Sequence, residues 1–144
     1  MKNKLVLAIV SLLAILLAAC SNNSPQQTTA PNSVLLHITN NTNAAIYGME
    51  ISWYQDGVLK GTQGGINADG SIIKKGESMV FELFQVDVDS TEDLLLEIAL
   101  LTSPNSNTKV QLDSKTPIKL AGYGNYYYEL VSDAGEIRLM QSTE

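Results

Sequence analysis

Tyr47-Gly48-Met49-Glu50-Ile51-Ser52-Trp53-Tyr54-Gln55-Asp56-Gly57-Val58-Leu59-Lys60 is the stretch that decides the fold. Tyr47, Met49, Ile51 and Trp53 fall on one face, and Gly48, Glu50 and Ser52 on the other. A period of two is the mark of a half-buried strand, because successive side chains alternate across the pleat. Asp56-Gly57 follows at once, and that pair tolerates the positive φ angles of a tight hairpin turn. A return strand over 58–66 is predicted, and Gly61, Gly64 and Gly65 suggest that it carries an edge or a bulge.

The same punctuation continues outward on both sides. Val34, Leu36 and Ile38 alternate with Leu35, His37 and Thr39 before Asn40-Asn41-Thr42-Asn43 breaks the run. Asn67-Ala68-Asp69-Gly70 and Lys75-Gly76-Glu77 mark turns, and 78–84 reads as a strand with Phe81 and Leu83 on one face. Further short runs lie at 110–112, 118–120, 126–131 and 136–140, with Asp133-Ala134-Gly135 turning the last hairpin. Many short strands separated by turn signals indicate an all-β sandwich or barrel.

Residues 94–102 admit two readings. As a strand, Leu94, Leu96, Ile98 and Leu100 face one way and the other face is largely apolar too, as for a central strand. As a helix, Ser90 would cap the start with Asp93 in a capping box, and Leu94, Leu95, Ile98 and Leu101 would form the stripe. The all-β surroundings favour the strand.

Residues 1–19 are set apart from this pattern. Lys2 and Lys4 precede an apolar run, Leu5 to Leu17, whose one polar residue is Ser11. The run is shorter than the roughly 20 residues that span a bilayer core, so it reads as a secretory signal peptide. Its end, Leu17-Ala18-Ala19-Cys20, resembles the lipobox of bacterial lipoproteins. That resemblance implies diacylglycerol on the Cys20 sulfur, cleavage before Cys20, and an extracytoplasmic domain held to a membrane by lipid, palmitate included. Asp directly after the cysteine is the usual inner-membrane retention signal of such proteins in enterobacteria, and Ser21 departs from it. In a double-membraned source this favours the outer membrane, and in a single-membraned source the outer face of the cell membrane. Cys20 is the sole cysteine, so no intramolecular disulfide is available to the fold.

Residues 20–33 then form a tether. Ser21 to Ser33 reads SNNSPQQTTAPNS, uncharged and nearly free of apolar side chains, which cannot offset the entropy of ordering. Such a segment reaches roughly 20 Å on average. Residues 34–144 remain as one β-sandwich domain. Removing 1–19 takes away two lysines and no acid, which leaves seven basic residues against fifteen acidic, a formal charge of −8. An acidic body argues against nucleic acid, whose phosphates require a basic surface.

The region from Ile38 to Leu83 resembles the small immunoglobulin-like modules of bacterial envelope proteins, FxLYD-type domains among them. Asn40-Asn41-Thr42, Trp53-Tyr54-Gln55-Asp56-Gly57 and Lys75-Gly76-Glu77 leading into Val80-Phe81-Glu82-Leu83 carry the likeness. Leu120-Ala121-Gly122-Tyr123-Gly124-Asn125-Tyr126 looks like the corner before the penultimate strand, where a tyrosine returns its hydroxyl to upstream backbone. The resemblance implies an immunoglobulin-like antiparallel β-sandwich and an accessory or binding role. It implies no active site.

Candidate chemistry is sparse. His37 is the sole histidine, which excludes a multi-histidine metal site, and its strand position reads as structural. Asp87, Asp89 and Asp93 lie in the densest acidic run and are the candidate Ca²⁺ ligands. An EF-hand loop is excluded there, because Glu92 occupies the position of the sharp-turn glycine and Ile98 that of the last ligand. The ordinary reading of the run is a solvated loop. Trp53, Tyr54, Tyr123, Tyr126, Tyr127 and Tyr128 concentrate the aromatics, as core and sheet-surface packing or as a partner-binding platform. Glu50 and Glu82 are a carboxylate pair that could meet across strands, but no groove for glycosidase chemistry is expected in so small a domain. No GxSxG elbow, Walker or Rossmann glycine pattern occurs.

The reading is a non-enzymatic, membrane-tethered module without cofactor, binding an envelope protein or polysaccharide. A Ca²⁺ or small-ligand-binding protein is the second reading, and a hydrolase inhibitor or small hydrolase the third.

Overall fold

A computed structural model describes residues 32–104 and 108–142. The signal segment, Cys20 and nearly all of the tether therefore lie outside the described residues. Nine strands follow in order: β1 (Ser33–Asn40), β2 (Gly48–Gln55), β3 (Val58–Ile66), β4 (Ser78–Phe84), β5 (Leu94–Leu101), β6 (Lys109–Gln111), β7 (Thr116–Ile118), β8 (Gly124–Asp133) and β9 (Glu136–Gln141). They form two sheets, β4-β1-β8-β9 and β3-β2-β5-β6, with β7 also pairing β5.

The sandwich closes on the alternation seen in the sequence. Val34, Leu36, Ile38, Phe81, Leu83, Tyr128 and Leu130 come from one inner face, and Met49, Ile51, Trp53, Leu94, Leu96, Ile98 and Leu100 from the other. One ladder departs from the antiparallel expectation: β1 and β8 run parallel, with Leu36 opposite Tyr126 and Ile38 opposite Tyr128. A parallel pair needs a long connection, and here it consists of every strand from β2 to β7.

Residues 94–101 are a central strand, flanked by β2 on one side and by β6 and β7 on the other. Backbone pairing on both edges outweighs the helical preference of leucine and alanine, because a tertiary ladder overrides a propensity of tenths of a kcal/mol. Ser90 does not cap a helix. Its carbonyl accepts the Gly122 amide at 3.2 Å.

The β2–β3 hairpin turns at Asp56 (φ 52°) and Gly57 (φ 74°), both left-handed as a two-residue turn of this hand requires. β3 is an edge strand. Its register shifts between Trp53 and Tyr54, which leaves Lys60 as the extra residue between Gly61 and Leu59. Two of its glycines serve close packing: a Cβ at Gly61 would overlap the Trp53 ring, and one at Gly65 would overlap Met79 of β4. Gly61→Ala is therefore expected to cost about 1–3 kcal/mol through overpacking. The urea midpoint measures it, and an unchanged midpoint would mean that the indole swings aside freely.

Candidate functional site

The ladder between β1 and β4 fixes which end of the sandwich receives the chain. Ser33 pairs with Phe84, so the start of β1 and the loop leaving β4 share one end. Gln55, closing β2, arrives there too, and the segment from Gln85 to Glu92 folds against it. Together with Asp56, Lys60 and Tyr123 these residues line an open cleft of about 670 Å³.

The loop is pinned from below by two side chains of β2. Gln55, 2% exposed, donates from Nε2 to the carbonyls of Asp89 (2.8 Å) and Glu92 (3.2 Å) and accepts the Asp89 amide at Oε1 (2.9 Å). Trp53 Nε1 donates to the Asp87 carbonyl at 3.2 Å. Inside the loop, the Asp89 carboxylate accepts both the hydroxyl (2.7 Å) and the amide (2.9 Å) of Thr91. Those two bonds hold its carboxyl below the ordinary aspartate value. So anchored, the loop buries Val88 and leaves Val86 90% exposed.

Asp87, Asp89 and Asp93 are not gathered around a common point. Among the described residues no group of three or more His, Cys, Asp or Glu side chains could hold a metal ion. One oxygen of the Asp89 carboxylate, Oδ1, accepts both Thr91 bonds.

The aromatic residues are dispersed. Trp53 and Tyr128 are core, each 5% exposed. Tyr126 makes the expected corner, its hydroxyl accepting the Ala121 amide and donating to the Gly122 carbonyl, both at 2.7 Å. Tyr123 is half-buried at the cleft. Tyr127 lies exposed on the outer face of the four-stranded sheet, stacked on His37 with centroids 4.6 Å apart. His37 Nε2 donates a hydrogen bond to Asn125 Oδ1 at 2.8 Å.

Tyr54 occupies the outer face of the other sheet, in a polar network that the sequence did not announce. Its hydroxyl donates to Glu97 Oε2 (2.7 Å), Gln111 donates to Glu97 Oε1 (2.9 Å), and Lys115 Nζ lies 3.3 Å from Glu97 and 3.4 Å from the Tyr54 ring centroid. The hydrogen bond raises the Tyr54 hydroxyl pKa and lowers that of Glu97. One face of the Tyr54 ring is thereby covered by an ammonium group.

Glu50 and Glu82 do not meet, because β2 and β4 belong to different sheets, and Glu50 pairs with Lys109 instead. The spacing Ser71-Ile72-Ile73-Lys74 falls in the connection between β3 and β4, where Ile73 bridges Ile46.

Fold and site together define an all-β sandwich with a pinned loop cleft at the end where the chain enters. No family model matches the sequence, and no curated protein matches it. Among solved structures, the T6SS lipoprotein TssJ1 from Pseudomonas aeruginosa is similar at 12% identity and a TM-score of 0.38, over 79% of this chain and 98% of that one.

Proposed function

We propose that this chain is a lipid-anchored extracytoplasmic binding module, without catalytic chemistry of its own, acting on an envelope protein or polymer. The observation that carries this reading is the cleft loop. Half-buried hydrogen bonds pin it to β2 while it displays Val86 almost wholly to solvent. Ordering a loop around an exposed apolar tip costs conformational entropy, and a preorganised tip lowers the cost of binding.

The lipobox supplies the location, through Leu17, Ala18, Ala19 and Cys20. Two acyl chains anchor stably where one is marginal. Cys20→Ser is expected to abolish palmitate incorporation and to move the protein from the membrane fraction to the soluble one. Palmitate labelling with membrane flotation measures both, and a wild-type protein that floats no better than the variant would defeat the anchored reading.

A further inference from the structure

The end that carries the cleft combines two surface features that sequence reading kept apart. The first is apolar. Val58, Phe84 and Val86 are 57%, 52% and 90% exposed, and all three lie where β2, β4 and the chain's entrance converge. Val86 lines the same cleft as Asp56, so the turn of the β2–β3 hairpin and the loop after β4 are neighbours there. The second is charge: Asp56, Asp87, Asp89 and Glu92 line this cleft against the single ammonium of Lys60.

We propose that this end is a docking surface for a protein segment that presents an apolar side chain flanked by lysine or arginine. The occupant follows from complementarity. An apolar anchor entering beside Val86 is desolvated, while cationic neighbours meet the rim carboxylates and speed encounter. An anionic bilayer or a nucleic acid meets like charge at the same rim. A second copy would bring two acidic clefts together. The inference rests on the anchored reading in one respect: the partner's location. From Cys20 to Ser33 the chain spans at most about 45 Å. Because Ser33 enters at the cleft end, the partner meets this surface within about that distance of the membrane.

The experiment uses the full-length lipidated protein in phosphatidylcholine nanodiscs. The probes are a fluorescein-labelled nine-residue peptide of alternating lysine and leucine, and its glutamate-for-lysine version. Saturable binding of the lysine peptide above empty nanodiscs is expected, with hydrogen-exchange protection gained at 85–92 and 56–60. Val86→Ser should weaken it about five- to tenfold, and Asp87→Asn with Glu92→Gln by a similar factor. These side chains are exposed or half-exposed, so folding is not at stake. No binding above empty nanodiscs, equal affinity for the glutamate peptide, or protection confined to the opposite end would overturn the proposal. So would protection of 85–92 by anionic lipid alone, or by concentration-dependent dimerisation. A protein that fails to enter nanodiscs defeats the anchored reading instead, and the peptide titration on the soluble full chain still decides the docking surface.

Discussion

Trp53→Ala is expected to destabilise the domain by about 3–5 kcal/mol, the range for removing a buried large aromatic and leaving a cavity. The indole is 5% exposed and lies over Gly61, where no side chain stands beneath it. Its Nε1 donates to the Asp87 carbonyl. One substitution therefore removes core packing between the sheets and a pin of the cleft loop. Equilibrium urea denaturation measures the loss, and a change under 1 kcal/mol would mean that the sandwich collapses around the gap without penalty.

The same residue allows a sharper test through coupling. Gly61→Ala overpacks against the indole in the wild type, but it fills space once the indole is gone. In the Trp53→Ala background the Gly61→Ala penalty should vanish or reverse, because contacting residues are not additive. A penalty that persists unchanged would place its origin in the β3 backbone rather than under the ring.

Gly61 also marks how far the sequence could be read. Strand existence, the two-residue turn at Asp56-Gly57 and the inner face of β2 all follow from alternation and turn chemistry, which are local. That three glycines meant an edge was legible as well. Which of them lies under Trp53 and which under Met79 was not, because those contacts join residues 8 and 14 positions apart, the first set by the bulged β2–β3 register and the second by packing between the two sheets. The parallel pairing of β1 with β8 is a long-range property with no sequence signature of its own. Among site residues, Asp87 and Asp89 drew notice through charge, yet the loop's shape is set by Gln55. That glutamine is next after Met49, Ile51 and Trp53 on the inner face, but a polar side chain beside the Asp56-Gly57 turn gives no sign of which backbone groups it bonds. The Tyr54–Glu97–Lys115 network is hidden for the same reason. Its members come from β2, β5 and the segment before β7, and strand order alone brings them together.

Gln55→Leu is expected to cost about 2–4 kcal/mol, with most of that expense felt in the loop. Leucine keeps nearly the same volume but bonds nothing, so the Asp89 amide and the Glu92 carbonyl lose this partner, while the Asp89 carbonyl keeps the Glu92 amide at 3.3 Å. A buried polar group left unpaired costs about 1–3 kcal/mol, less where water can reach it. The open side of the cleft lets water reach some of these groups, which keeps the total below their full sum. Amide exchange distinguishes this loss from that of Trp53→Ala. The Asp89 amide should lose its protection while the β5 amides, held by ladders on both edges, exchange with the global unfolding reaction. Gln55→Glu separates the two functions of the side chain. A carboxylate can still accept the Asp89 amide but cannot donate to either carbonyl, and it carries a charge into a site 2% exposed. It should therefore be at least as destabilising as leucine at neutral pH. Retained Asp89 protection in both variants would show that the loop holds its shape without Gln55, and the preorganisation on which the binding reading depends would have to come from Trp53, Thr91 and the loop's backbone bonds, Gly122 to Ser90 among them.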